Sequence, residues 1–414
     1  MMYDLIVIGG GPSGATAAKL AAEHGAKVLL LEGEKEGRYK CCAGGIPISN
    51  EEFSPIPRGV GEREINGGVL ATPETGPMRL EAGLGKDKGY CMFRTDFDKY
   101  LLDIAQDAGA TVKYQVKAKK IEVSKENGTI LGNSEEYKGK CIIIAVGLAG
   151  ARIQRSLGLE IPPMVNGIQA EFSLPESAIE KHFESKIWEC FDKNLIEHGV
   201  AWAFPKREAV SIGLLSKTPK ITDLQSFFRH PFIKDKIEKA KMMEFGGKKI
   251  WACPIPDRMI KKPYCDRVMI TGDACGTADP ILYEGIYQAR LSATLAVDIF
   301  KLALEKDDFT ESLLKGYNDL LVNHLYEQNL KYSYKMHKII YHSGLTEDLL
   351  KGIVEIAQQD PEMMKSTLAL FSGSQTRKEI WKMLMSRKWK LVKKLGVRKS
   401  LRLISSLFHV LIQT

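Results

Sequence analysis

The stretch from Asp4 to Glu32 constrains the fold more than any other. Asp4-Leu5-Ile6-Val7-Ile8 is an apolar run of strand length, and Gly9-Gly10-Gly11-Pro12-Ser13-Gly14 is a glycine turn. An alanine-rich run to His24 suits a helix, and Lys27-Val28-Leu29-Leu30-Leu31 is a second buried strand that ends on Glu32. Each part has a physical task in holding a dinucleotide. Gly9 permits the tight turn, Gly11 lets the backbone approach a pyrophosphate, and Gly14 lets helix and strand pack closely. The helix opens at Pro12 and Ser13, and its N-terminal N–H groups and partial positive charge suit phosphates. Glu32, followed by Gly33, stands eighteen residues after Gly14, where a carboxylate can accept from ribose hydroxyls. The acid disfavours a 2′-phosphate, which leaves FAD or NAD as the ligand.

One glycine fingerprint is weak evidence. Here strand, turn, helix, strand and acid fall in order at working spacing, so an α/β protein with a Rossmann-like nucleotide domain is expected. With 414 residues the chain has room for further domains. No apolar run reaches the ~18–20 residues of a membrane span, and the first strand begins at Asp4 with no signal peptide ahead of it. A cytoplasmic monomer is expected. The eight cysteines contain no C-x-x-C pair and the histidines no ligand spacing, so no metal is expected. Net charge is +8, but the chain from Arg377 on holds eleven Lys or Arg against one acid, or +10, which leaves −2 for the rest. Any argument about anionic partners starts from that tail.

After Glu32 a polar loop leads into Tyr39-Lys40-Cys41-Cys42-Ala43-Gly44-Gly45-Ile46-Pro47. Small residues this dense, with two thiols, suggest a backbone lying against a flat ligand; an ordinary glycine turn is the plainer account. Residues 65–92 read as short strands with glycine breaks. Arg94-Thr95-Asp96-Phe97-Asp98 opens an amphipathic helix, and strand signals recur at Thr111–Val116, Lys120–Ser124 and Cys141–Ala145. Residues 160–265 look strand-rich. Alternation there puts Trp202 and Phe204 on one strand face, as core or as the wall of an apolar pocket. Arg267-Val268-Met269-Ile270-Thr271 is a buried strand running into Gly272-Asp273, and the remainder is almost all helix. Three regions are therefore expected. They are a nucleotide domain of 1–160 with 265–300, interrupted by an insertion at about 45–92; a β-rich substrate domain of 161–264; and a helical region of 301–414 ending in a basic amphipathic tail.

Gly9, Gly11, Gly14 and Glu32, then Arg94 with Phe97 and Asp98, then Gly272-Asp273 together resemble the FAD-dependent oxidoreductases of the p-hydroxybenzoate hydroxylase fold. Within that group the chain looks most like the geranylgeranyl reductase family. Lys40-Cys41-Cys42-Ala43-Gly44-Gly45-Ile46-Pro47 is similar to the family's Lys-Pro-Cys-Gly-Gly stretch, and Trp202-Ala203-Phe204-Pro205 to its Tyr-x-Trp-x-Phe-Pro motif. The span from Gly272-Asp273-Ala274 to Glu284-Gly285-Ile286 matches its late flavin motif. Val200, Cys41 and Ala43 depart from the family's Tyr, Pro and Gly. Val146 stands where hydroxylases carry an Asp, which counts against a hydroxylase.

The resemblance implies FAD held by Gly9, Gly11, Pro12, Ser13, Gly14, Glu32, Gly33, Cys42, Ala43, Gly44, Arg94, Val116, Gly272, Asp273, Gly285 and Ile286. It implies that Asp273 binds ribityl and phosphate oxygens, and that the helix from Gly285-Ile286 points its N-terminus at the flavin. Cys42 is the candidate catalytic residue, with Gly45, Trp202, Phe204 and Pro205 as the substrate pocket. The implied reaction reduces isoprenoid C=C bonds of a prenylated lipid. The reductant is NAD(P)H docking transiently or a small electron-carrier protein, since no second glycine fingerprint occurs. A flavin-dependent hydroxylase or halogenase is the alternative within the fold. An RNA-associated flavoprotein using the basic tail is the alternative of another class, against which the tail interleaves its charges with aliphatics rather than stacking aromatics. The tail, with Trp381, Leu384, Leu391, Leu395, Leu401, Ile404, Phe408 and Leu411 at helical spacing among lysines and arginines, is expected to present an apolar face to an anionic membrane, with no nucleic acid bound; the plainer account is a solvated charged face with the apolar stripe packed on the preceding helices.

Overall fold

The computed structural model of the chain describes residues 1–57, 59–60, 62–81, 89–133, 135–396 and 399. Two units emerge. The first holds Met1–Lys40, Arg94–Met164 and Pro254–Glu327; the second holds Cys41–Phe93, Val165–Cys253 and the chain from Gln328 on.

In the first unit the strand Met2–Ile8 lies at the centre of a sheet, parallel to Val28–Leu31 on one side and to Glu136–Ile144 on the other. Thr111–Lys113 extends it beyond Val28–Leu31, and Val268–Ile270 beyond Glu136–Ile144, both parallel. Leu5, Ile6, Leu29, Leu30, Ile142 and Ile143 are fully buried, as expected of strands covered on both faces. The helix Pro12–Glu23 buries Ala15, Ala17, Ala18 and Ala21, and these short side chains let it pack closely on the helix Ile286–Lys306. The helix expected from Arg94 is Arg94–Asp107.

The second unit is built on a sheet in the order 241–242, 164–173, 209–216, 200–205, 187–190, 67–72, 76–81. One face buries Ile168, Ala170, Ala201, Ala203, Val210, Ile212 and Trp188 against residues of the helices Glu176–Phe183 and Ile221–Phe228. On the other face, Leu70, Leu80 and Val200 pack with Tyr341, Leu350, Val354 and Leu368 from the C-terminal helices.

This division differs from the three regions expected. Residues 41–93 do interrupt the first unit, close to the insertion expected at about 45–92, but they fold with the second unit, because Gly67–Thr72 pairs in parallel with Ile187–Cys190 and so belongs to the second sheet. Residues 301–414 are not one region. Helix Glu311–Leu320 stays with the first unit, where the Tyr317 hydroxyl donates to the Ile270 carbonyl at 2.8 Å. The chain passes to the second unit within the π-helical stretch Leu321–Leu330, and the later helices cover that unit's sheet.

The tail also departs from expectation. Helix Arg377–Ser386 and the helical residues 388–396 turn Trp381, Leu391 and Leu395 onto Ile339, Leu345 and Leu349, and Leu384 onto the cluster of Ile356, Ala357 and Met363. Its cations pair with the same helices: Arg387 and Lys390 with Asp360, Lys394 with Glu355, and Lys399 with Asp348. Over the described residues the apolar stripe packs, partly buried, against core clusters of the second unit. Leu401, Ile404, Phe408 and Leu411 lie outside them.

Candidate functional site

In the first unit the glycine turn is dictated by space. Gly9 has φ +105°, and a Cβ there would lie 2.4 Å from the Ala145 carbonyl oxygen; a Cβ at Gly14 would lie 1.9 Å from the carbonyl oxygen of Gly9. Gly11 is the N-cap of the helix Pro12–Glu23, with no side chain capping it, and Pro12 fills the first turn, where its missing N–H costs nothing. The remaining first-turn amides are thus left for an anion. A Cβ at Gly11 would meet only Arg94 Nη2, at 3.9 Å, so a guanidinium stands beside the turn. Ser13 turns its hydroxyl inward, donating to Thr271 Oγ1 at 2.7 Å; what it offers a ligand is its backbone N–H.

Glu32 is buried and holds the turn from the other side. Its Oε2 accepts from the Gly10 amide at 2.8 Å and its Oε1 from the Glu34 amide at 2.9 Å. Each carboxylate oxygen keeps a second lone pair for a ribose hydroxyl. Its backbone carbonyl accepts from the Val116 amide at 2.9 Å, which places Val116 beside it. Gly33 has ordinary space, its nearest neighbour being Lys117.

Arg94 is fixed by a fork of two hydrogen bonds to Asp98, at 2.7 and 3.0 Å. Arg38 donates to the same carboxylate at 3.0 Å and reaches Glu32 Oε1 at 3.5 Å. The sequence reading named Asp98 only as a helix opener and missed Arg38 in its polar loop; only the fold brings 38 and 98 together.

Gly272, at φ +64°, donates its amide to Ser292 Oγ. Burial pushes the half-buried Asp273 carboxyl up, and the charges of Lys40 and Arg94 oppose that. Gly285 caps the helix Ile286–Lys306 without a side-chain bond, and a Cβ there would lie 3.1 Å from Asp273 Oδ1. At that helix the Tyr287 amide donates to Glu284 Oε1 at 3.3 Å. The open N-terminus at Pro12, cradles that only glycine fits, Arg94, and carboxylates with spare lone pairs form a donor and acceptor set that fits FAD.

In the second unit, Cys42 is half-buried and Cys41 buried. Gly44 has φ +84°, and a Cβ there would lie 2.0 Å from the Met92 carbonyl oxygen. The strand Val200–Pro205 alternates as expected: Ala201 and Ala203 face the core, while Trp202 and Phe204 are half-buried on the other face. Pro205 falls with the alanines by the same alternation, away from Trp202. The Trp202 ring lies over Gly213, where a Cβ would be 2.4 Å from Cζ2, and the Phe204 ring lies against Gly45, where a Cβ would be 2.8 Å from Cε2. Trp202 Nε1 is buried with no partner among the described residues.

This face also carries polar residues that the sequence reading missed. Gln169, Glu171, Ser211 and Lys206 are all buried. Glu189, directly across from Trp202 in the ladder, is buried with no partner for Oε2 among the described residues, and burial pushes its carboxyl up to about 8. Burial likewise pushes the Cys91 thiol up to about 12, which keeps it protonated. Polar residues alternating through the apolar strand 164–173 were a legible signal; Lys206, next to the aromatic stretch, was not.

A family model described as an FAD binding domain matches residues 4–62. The digeranylgeranylglycerophospholipid reductase of Methanocaldococcus jannaschii is 31% identical over 372 residues, which cover 86% of this chain and 90% of that one. The chain belongs to the geranylgeranyl reductase family. It is an FAD-dependent oxidoreductase. The reductase of Thermoplasma acidophilum with the same name is 28% identical, covering 86% of this chain and 92% of that one. A geranylgeranyl bacteriochlorophyll reductase-like crystal structure from T. acidophilum is similar at TM-score 0.77 and 23% identity, covering 94% of this chain and 99% of that one. The halogenase PltM is similar at TM-score 0.68 and 15% identity, covering 99% of this chain and 96% of that one, a likeness of fold alone. Among the described residues of this geranylgeranyl reductase family member, no helix is long and apolar enough to cross a membrane.

Proposed function

We propose that this enzyme saturates C=C bonds in a polyprenyl chain of geranylgeranyl type carried on a lipid. The observation that carries the reading is the half-buried aromatic pair Trp202 and Phe204, lying over glycines on the second unit's sheet, in a chain 31% identical to a digeranylgeranylglycerophospholipid reductase. Bound FAD, once reduced, supplies the hydride. The residues expected to hold it are Gly9, Gly11, Pro12, Ser13, Gly14, Glu32, Gly33, Arg94, Val116, Gly272, Asp273, Gly285 and Ile286, with Cys42, Ala43 and Gly44. Trp202, Phe204 and Gly45 line the path of the prenyl chain and exclude water. An isolated alkene develops no oxyanion, so alignment in a dry apolar site matters more than hydrogen-bond donors. Cys42 holds a proton at Sγ for the second carbon. The reductant is NAD(P)H or a small electron-carrier protein.

The test is anaerobic single turnover of photoreduced enzyme with a geranylgeranyl phospholipid, read by mass spectrometry. A gain of two hydrogens per reduced bond is expected, and slower flavin reoxidation in Cys42→Ser. Product carrying oxygen or halide, under air or with halide added, would replace this reading with a hydroxylase or halogenase.

The tail is proposed to bring the enzyme to an anionic membrane. Its +10 charge and the exposed Trp389, at 69% accessibility with Lys388 beside its ring, support this. Since residues 377–396 pack on the second unit, the informative truncation begins at Val397. Full-length protein should float with anionic vesicles and not with neutral ones, and salt should release it. Sedimentation with both vesicle types would remove the membrane role.

A further inference from the structure

Two consecutive carbonyls of the cysteine loop are held by buried side chains of the second unit's sheet. Gln169 Nε2 donates to the Cys42 carbonyl at 2.9 Å, and Lys206 Nζ donates to the Ala43 carbonyl at 3.2 Å. Both donors converge on one carboxylate. Glu171 Oε1 accepts from Gln169 Nε2 at 2.9 Å, and Oε2 accepts from Ser211 Oγ at 2.7 Å and lies 3.5 Å from Lys206 Nζ. Lys206 also donates to Ser211 Oγ, and its ammonium sits 4.6 Å from the centroid of the Phe93 ring. Lys206 is 0% and Glu171 2% exposed. On the loop's far side the Gly44 carbonyl accepts from the Met92 amide at 3.0 Å.

Burying a lysine and a glutamate costs more in desolvation than their attraction commonly returns, and well-packed apolar residues of similar volume would often hold such a core as well. What apolar residues cannot do is hold two carbonyls at set points. Strand geometry explains the arrangement. Gln169 and Glu171 are two apart on one strand and so share a face, and Glu171 lies directly across the ladder from Ser211.

We infer that Lys206 and Glu171 are positioning residues for Cys42: Glu171 aligns Lys206 and Gln169, and these fix the Cys42 and Ala43 carbonyls and with them the direction of the thiol. The inference rests on the reading of Cys42 as the residue that handles the proton. Its test needs no turnover.

The probe is iodoacetamide on flavin-loaded enzyme, with modification of Cys42 followed by peptide mass spectrometry and the half-buried Cys253 and Cys265 as internal references. Lys206→Met leaves Glu171 buried without its cation and lowers the melting temperature. The double variant Lys206→Met with Glu171→Leu leaves no buried charge and recovers most of that loss. In both, Cys42 should alkylate faster than in the wild type by about fivefold or more, the factor one lost hydrogen bond is worth, while Cys253 and Cys265 keep their rates. If the double variant melts like the wild type and Cys42 alkylates at the wild-type rate, the cluster serves the core alone and the inference falls. A protein that fails to reduce prenyl lipid yet shows the altered Cys42 rate would overturn the functional reading and leave the positioning role standing.

Discussion

The Gly10 amide donates to Oε2 of Glu32 at 2.8 Å, so the acid at the end of the second strand clasps the glycine turn that follows the first. Under the proposed function, Glu32 joins turn geometry to ribose recognition. Glu32→Ala removes both, and the lost charge-assisted hydrogen bonds are worth ~1.5–3 kcal/mol each. FAD affinity should fall about tenfold or more, read by flavin fluorescence on titrating apoprotein. Unchanged affinity would place the ribose elsewhere.

Arg94→Met removes the guanidinium beside Gly11 but leaves Asp98 paired to Arg38. The fold should persist while FAD binds more weakly, and the difference from the wild type should shrink as salt screens the missing charge. Arg94→Lys keeps the charge and loses the fork, so it should rescue only part of the affinity. Isothermal titration at two salt concentrations checks this.

Gly213→Ala places a Cβ where the Trp202 ring lies, 2.4 Å from Cζ2, and also 2.7 Å from the Gln169 Cβ. The ring must move. Because the new Cβ strikes the Trp202 ring directly and meets the FAD-holding loop only by way of Gln169, KM for prenyl lipid should rise by a larger factor than FAD affinity falls. Equal loss of both would show that the sheet itself is disturbed.

Glu189 makes stability depend on pH. Its carboxyl is raised from 4.5 to about 8 by burial alone. Below the lower value both folded and unfolded chains are protonated. Between the two values the unfolded chain releases the proton and the fold retains it, so stability falls as pH rises, by up to ~1.4 kcal/mol per pH unit, and falls no further above the folded value. Glu189→Gln lacks this slope. Its melting temperature relative to the wild type should climb from pH ~5 to pH ~8; a constant difference would mean that Glu189 is ionised in the fold.

The sequence by itself determined the elements whose cause is local. A glycine turn between two apolar strands needs no distant partner, so residues 4–32, the helix from Arg94 and the Gly272-Asp273 turn were all legible from spacing. So was the Trp202 and Phe204 alternation, because side-chain direction in a strand has a period of two. Only the tertiary structure decided what depends on pairing between remote segments. Gly67–Thr72 reads as a strand in an insertion, yet it joins the second sheet because its register partner is Ile187–Cys190. The tail reads as an amphipathic helix for any apolar surface, and the surface offered to Trp381, Leu391 and Leu395 is Ile339, Leu345 and Leu349. Nothing local to Lys206 marks it for burial. Its burial follows from Glu171, thirty-five residues earlier, being brought across the ladder beside Ser211, where one carboxylate can steady a lysine inside the protein. A chain states its turns and periodicities locally, but it does not state which face of which strand its charges will share.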